Sequence, residues 1–345
     1  MKFRSFCLVA HLLSGLFATN YVAAQVPTPI LGASPATREA ESKGINEWLM
    51  RMHEASRTRA YVGTYVVSSG GVMSSSKIWH ACEGNQQIER VEALTGAPRS
   101  VFRHNDRVVT FMPDHKLVRT EKRESLGLFP VLLQSTDHQI AEFYKIQREG
   151  LDRIAGLEAD VVLLSPKDNM RFGYRVWSER KRGLVVKLQT LDTDGKILEQ
   201  AAFSELQLDA PVSMDKLLQM MTKLDGYRVE EPALVKTTAL AEGWLLKAPV
   251  PGFKSISCYK RPASTSGSGS VAISEPLQWV FSDGLASVSL FLEPIDRLRP
   301  DRESTLSMGA TQTLSRQLAG HSLTVMGEVP MATLKLFANG VERKK

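Results

Sequence analysis

Apolar and polar residues alternate along much of this chain, most clearly between Gly156 and Leu208. Val161–Leu164 is a short apolar run stopped by Ser165-Pro166 and then Asp168-Asn169. Phe172, Tyr174 and Val176 alternate with Arg171, Arg175 and Trp177, as Leu184, Val186 and Leu188 do with Val185, Lys187 and Gln189. A period of two broken by turn residues predicts an antiparallel meander with one buried face. Asp194-Gly195, just ahead of Ile197–Phe203, is the sharpest hairpin signal, because a primed turn needs the positive φ that Gly and Asp tolerate.

The same reading extends both ways. Ile45, Trp48, Leu49 and Met52 share one face of an amphipathic helix ending near Arg57. Strands are predicted at Tyr61–Ser68, Ile78–Cys82, Gln87–Ala93, Val101–Arg103, Val108–Met112 and Leu117-Val118. The charged tract Arg119–Ser125 reads as an exposed loop, and a helix is predicted through Ile140, Phe143 and Tyr144. Between them, Leu126–Leu133 is apolar and broken by Pro130. It reads either as a lid over the core or as a mobile flap at a cavity mouth, with Leu126, Leu128, Phe129 and Leu132 as its apolar residues. Ser213 is placed to cap a helix carrying Met214, Leu217, Leu218, Met221 and Leu224, closed by Gly226. Its Met-rich face is either ordinary packing or an adaptable binding surface. Further strands follow from Trp244, with hairpin turns at Ser282-Asp283-Gly284 and Ala319-Gly320-His321 and a Ser/Gly-rich tip at Ser264–Ser270. Pro330 is suited to open a closing helix through Leu334 and Phe337.

These elements predict a mainly β chain with some α (an α+β fold). The N-terminal part is an unclosed antiparallel barrel with helices in its concave face, and a smaller β-rich domain follows. The boundaries fall at 1–24, a signal peptide; 25–43, a flexible leader; 44–209, the half-barrel; 210–240, a connector with the amphipathic helix; and 241–340, the second domain. The leader assignment rests on basic Lys2 and Arg4, the apolar run Phe6–Phe17 and the small residues Val22-Ala23-Ala24. That run is too short for a membrane span, so an exported protein is expected. About 320 remaining residues suit two domains.

The formal charge is +6 before Lys2 and Arg4 leave with the leader. The mild basic excess that remains excludes a nucleic-acid footprint and suits anionic partners. Cys82 and Cys258 fall in different predicted domains and are expected as separate thiols. No nucleophile elbow, HExxH, phosphate-binding glycine loop or metal-spaced cysteine pair occurs. The histidines His53, His80, His104, His115, His138 and His321 lack ligand spacing. No catalytic residue, metal or cofactor is assigned, and a binding protein is expected. Tyr61, Tyr65, Trp79, Phe111, Phe172, Tyr174 and Phe203 are the candidates to line the concave face. If the helices fill that space loosely it would take acyl chains, each buried methylene contributing about 0.8 kcal/mol; if they fill it fully, it is core.

Several stretches then look familiar. Gly63-Thr64, Leu164–Asp168 running into Arg171–Tyr174, and Trp177 ahead of Gly183-Leu184 resemble the RseB/MucB family. So do Asp194-Gly195 with Glu199-Gln200 and Phe203, then Ser282-Asp283-Gly284-Leu285-Ala286, Gly309-Ala310-Thr311 and Gly327–Pro330. That family comprises periplasmic negative regulators of extracytoplasmic (sigma-E or AlgU type) sigma factors. The resemblance implies a first domain like the lipoprotein carriers LolA and LolB. It implies a second domain that grips the periplasmic segment of a single-span anti-sigma factor of RseA or MucA type and shields it from regulated proteolysis. Release by lipopolysaccharide or lipoprotein would then turn on the envelope-stress response. Trp279, Phe281, Leu290 and Leu292 are the candidate partner contacts in that domain. The sequence departs from the family pattern at Ser178-Glu179 and in the Ser/Gly insert. The competing readings are a lipid or lipoprotein carrier, for which a second domain is superfluous, and an exported hydrolase. Pairing with a second copy stays open.

Overall fold

The computed structural model describes residues 35–122, 129, 140–231, 234–260, 276–295 and 303–344, with backbone alone for 35–46 and 122. The signal peptide, the Ser264–Ser270 tip and the flap residues Leu126, Leu128 and Leu132 lie outside these.

Helix α1 (Pro35–Thr58) leads into β1 (Tyr61–Ser69), β2 (Val72–Glu83), β3 (Gln86–Ala93), β4 (Ser100–His104), β5 (Arg107–Met112) and β6 (Leu117–Lys122). The one-turn helix α2 (Ile140–Phe143) precedes β7 (Tyr144–Ile154), β8 (Leu157–Pro166), β9 (Gly173–Glu179), β10 (Val185–Leu191) and β11 (Ile197–Leu208). Helix α3 (Met214–Thr222) and β12 (Arg228–Glu230) complete a 12-stranded sheet in the order β12-β6-β5-β4-β3-β2-β1-β11-β10-β9-β8-β7. Its two ends do not meet, so the sheet is open, and every pair in it is antiparallel except β12 against β6.

The second half contains β13 (Val235–Lys236), β14 (Trp244–Leu246), β15 (Lys254–Lys260), β16 (Leu277–Ser282), β17 (Ser287–Pro294), β18 (Ser304–Met308), β19 (Thr311–Leu318) and β20 (His321–Gly327). Helix α4 (Met331–Gly340) and β21 (Val341–Arg343) close the chain. Seven of these strands form a sheet in the order β13-β15-β16-β17-β20-β19-β18, while β14 pairs with β21.

Where residues do not follow the sequence expectation, a longer-range contact decides. Part of the expected flexible leader, from Pro35, is the first half of α1. The helix expected through Tyr144 stops at Phe143, because Tyr144 pairs with Pro166 as the first residue of an edge strand. The Arg119 tract is strand as far as Lys122 because β5 pairs with it. The connector is tied down at both ends: β12 is an edge strand of the first sheet and β13 of the second. Ser213 does cap α3, its Oγ accepting from Lys216 N at 3.2 Å, but the helix ends at Thr222, short of Gly226.

Alternation of side chains gives the large sheet apolar packing on both faces. On one face Tyr61 and Ile78 pack with Ala55 of α1. On the other Ala81, Ile88, Phe102, Val109, Phe111 and Val118 pack under Leu217 and Met221 of α3. The Met-rich face of α3 is therefore packing. The second sheet has its own core, sealed by Leu334 and Phe337 of α4.

Candidate functional site

The contact between the two sheets carries a buried polar network. Asp168, in the turn after β8, accepts the Met170 N–H at 2.9 Å with one carboxylate oxygen and pairs with Arg171 through the other. That side-chain turn aims Arg171 at the second sheet. There the Ser282-Asp283-Gly284-Leu285-Ala286 turn presents a matching acid. Asp283 Oδ1 accepts the backbone N–H groups of Leu285 (2.9 Å) and Ala286 (2.8 Å), while Gly284 takes φ 101°. Asp283 Oδ2 is thus left to accept Arg171 Nε at 2.8 Å and the Tyr144 hydroxyl at 3.1 Å.

Both side chains of the Arg171–Asp283 pair are 0% exposed. A buried pair is tolerated only when its remaining hydrogen-bonding positions are filled, and here they are. Arg171 Nη2 donates to the Pro251 carbonyl at 2.8 Å, and its guanidinium lies 4.4 Å from the Phe143 ring and 5.2 Å from Phe253. Gly252 (φ 81°) is required beside it, since a β-carbon there would run into the guanidinium and come within 2.9 Å of Phe143. Thr333 at the start of α4 adds a hydrogen bond to the Met170 carbonyl at 2.7 Å. Burial first, and then the Asp283 carboxylate, hold the Tyr144 phenol well above its ordinary pKa.

A second contact lies at the far end of β1. Ser69 Oγ donates to Glu199 at 2.8 Å, and Gly309 of the β18–β19 turn packs directly on Ser69. Glu328 is an exposed residue. Even so, dense packing around its carboxylate, with Glu199 nearby, raises its pKa from 4.5 to about 7.

The seven expected cavity residues do not share one hollow. Tyr61, Tyr65 and Phe203 gather with Phe129, the described flap residue, at ring separations of 5.0 Å (Phe129–Phe203), 5.4 Å (Tyr65–Phe129) and 6.4 Å (Tyr61–Phe203). Gly63 permits this: a β-carbon there would fall 2.7 Å from the Phe203 ring. Trp79 and Phe111 belong to the α3 side instead, because on β2 Trp79 points opposite to its neighbours Ile78 and His80. Tyr174 is packed under α1 with Trp48, Leu49 and Met52. Phe172 is buried in the turn beside Arg171.

The four expected partner contacts all sit in the core of the second sheet. Phe281, Leu290 and Leu292 are buried in the core of the second sheet, since each lies on the face that α4 covers. Trp279 is also core, although it borders a surface depression of about 470 Å³ with Ser255, Ile256, Leu240 and Trp244. Cys82 and Cys258 are free thiols on β2 and β15. Among the described residues no group of His, Cys, Asp and Glu is arranged to hold a metal ion, and no helix is long and apolar enough to cross a membrane.

Sequence reasoning missed Arg171, Asp283 and Tyr144 as a unit. Arg171 and Asp283 lay within stretches already singled out, but Arg171 read as a polar position in a strand alternation and Asp283 as turn punctuation. Nothing local signals that two turns 112 residues apart meet.

Comparison with known proteins is consistent across both halves. The profile of the MucB/RseB N-terminal domain matches residues 44–221, and that of the MucB/RseB C-terminal domain matches residues 238–342. The Pseudomonas aeruginosa sigma factor AlgU regulatory protein MucB is 30% identical over 321 residues, covering 89% of this chain and 93% of the relative. The Haemophilus influenzae sigma-E factor regulatory protein RseB is 23% identical, covering 88% and 92%. Among solved structures, the MucA/MucB complex of Pseudomonas aeruginosa superposes with a TM-score of 0.67 at 25% identity, covering 88% of this chain and 99% of that one.

Proposed function

This chain belongs to the MucB/RseB family, and on that premise we propose that it is a periplasmic regulator of a sigma-E-type stress response. It binds the periplasmic segment of a single-span anti-sigma factor of RseA or MucA type and shields that segment from regulated proteolysis. Lipopolysaccharide or lipoprotein acyl chains release it. The role is one of binding, without chemistry.

The observation that carries this reading is that the resemblance runs through both halves in one order. A carrier needs only the first half. The geometry supports a coupling as well. Phe129 packs against both cores on the α1 side, and one of them contains Tyr144 and, from the second half, Leu285. An acyl chain entering beside Phe129 repacks the cluster that positions Tyr144, and Tyr144 holds Asp283. Ligand can shift the arrangement of the halves only by binding one arrangement better than the other; this shared cluster is where that difference arises.

The test is a protease-protection assay on the anti-sigma segment. Adding the processed protein should slow cleavage, and adding lipopolysaccharide should restore it. Cleavage that proceeds at the same rate with and without the protein would refute the regulator reading.

A further inference from the structure

The α1-facing side of β1–β4 carries polar groups that packing alone does not require. Register partners across the strands form one row of Tyr61, His80, Glu89 and Arg103, and a parallel row of Gly63, Ile78, Val91 and Val101. The second row is apolar, and the Tyr65–Phe129–Phe203 rings stand at its β1 end. Tyr65, Val91, Val101 and Phe129 are only half-buried, so apolar surface stays reachable there.

The first row is polar and mostly out of water. The Glu89 and Arg103 side chains are 14% and 17% exposed, and their charged groups stand 3.7 Å apart, beyond hydrogen-bond length. His80 is satisfied by the Arg59 carbonyl at 2.7 Å and stacks on the Tyr61 ring. The Tyr61 hydroxyl is buried and has no hydrogen-bond partner among the described residues. Burial first, with Glu89 next, pushes its pKa well up, so it stays a phenol able both to donate and to accept. A buried hydroxyl left unmade costs about 1–3 kcal/mol. None of the described residues recovers that cost.

We propose that this row is a specificity subsite for a hydroxyl carried on an acyl chain. The inference rests on the reading, given above, that acyl chains enter beside Phe129. A ligand hydroxyl donates to Glu89 and accepts, on its two lone pairs, from Tyr61 and Arg103, filling the open positions of all three. Charge selects the class. Glu89 and Arg103 cancel, so a carboxylate gains no net attraction and must still shed its water. A plain alkyl chain leaves Tyr61 unsatisfied.

The probes are methyl tetradecanoate, derivatives with a hydroxyl near the ester, mid-chain or near the terminal methyl, and free tetradecanoate. Their affinities for the processed chain are measured by displacement of an apolar fluorophore. At least one hydroxylated ester should bind about tenfold more tightly than the plain ester, a typical return for satisfying a buried polar group. Tyr61→Phe, which removes only an unpartnered hydroxyl, and Glu89→Gln should each erase most of that preference. Equal binding of plain and hydroxylated esters overturns the subsite and leaves the acyl reading standing. Tightest binding by free tetradecanoate, lost in Arg103→Gln, overturns it in favour of an anion site. Binding of none of the probes refutes the acyl reading, and the subsite with it.

Discussion

Glu328 shows how one residue can make the contact between the halves sensitive to pH. Its pKa is raised from 4.5 to about 7 by the packing around its carboxylate and by Glu199. Between those values the folded chain holds a proton that the unfolded chain has released, so stability falls as pH rises through that window and levels off above it. Glu328→Gln removes the slope. Thermal melts should show the variant more stable than the parent near pH 8, with the gap closing toward about pH 5. The exposure of the residue limits the gain to about 1 kcal/mol or less. A variant less stable than the parent at the higher pH would mean that the ionised carboxylate has a favourable partner. None of this was legible in the sequence, where Glu328 is one more polar residue in the Gly327–Pro330 stretch.

At the scale of elements, local chemistry was a good guide wherever it was sufficient. The Asp194-Gly195 turn, the Ala319-Gly320 turn, the start of α4 after Pro330 and the Ser213 cap all stand where residue type placed them. The cap makes a measurable case. Ser213→Ala removes the acceptor for Lys216 N–H and should cost about 1 kcal/mol. Hydrogen exchange should report the loss first in α3 and in the β2–β6 surface beneath Leu217 and Met221. Unchanged protection of that surface would separate the helix from the core it appears in. Elements set by distant pairing were not legible. Tyr144 reads as the end of a helix, yet its backbone belongs to β7 because Pro166 is its partner. The split of Trp79 from Tyr61 could be read only once the register of β1 against β2 was known. The face of a residue follows from its neighbours along a strand, whereas which face is concave does not.

At the scale of the whole molecule, the Arg171–Asp283 pair decides whether the halves act as one body. Replacing Asp283 with Ala strands a buried guanidinium and should cost about 3–5 kcal/mol. Urea unfolding should then split from one transition into two as the halves lose their coupling. A single transition at unchanged midpoint would show that the apolar contacts around Leu285 and Met170 suffice. The short stretch between β12 and β13 sets a further condition. Only residues 231–234 separate an edge strand of one sheet from an edge strand of the other, a reach of no more than about 18 Å. Halves leashed so closely meet each other at a local concentration far above that of any free competitor. If the halves part, re-docking is unimolecular and independent of how much protein the cell holds, so the contact re-forms without help from a second molecule.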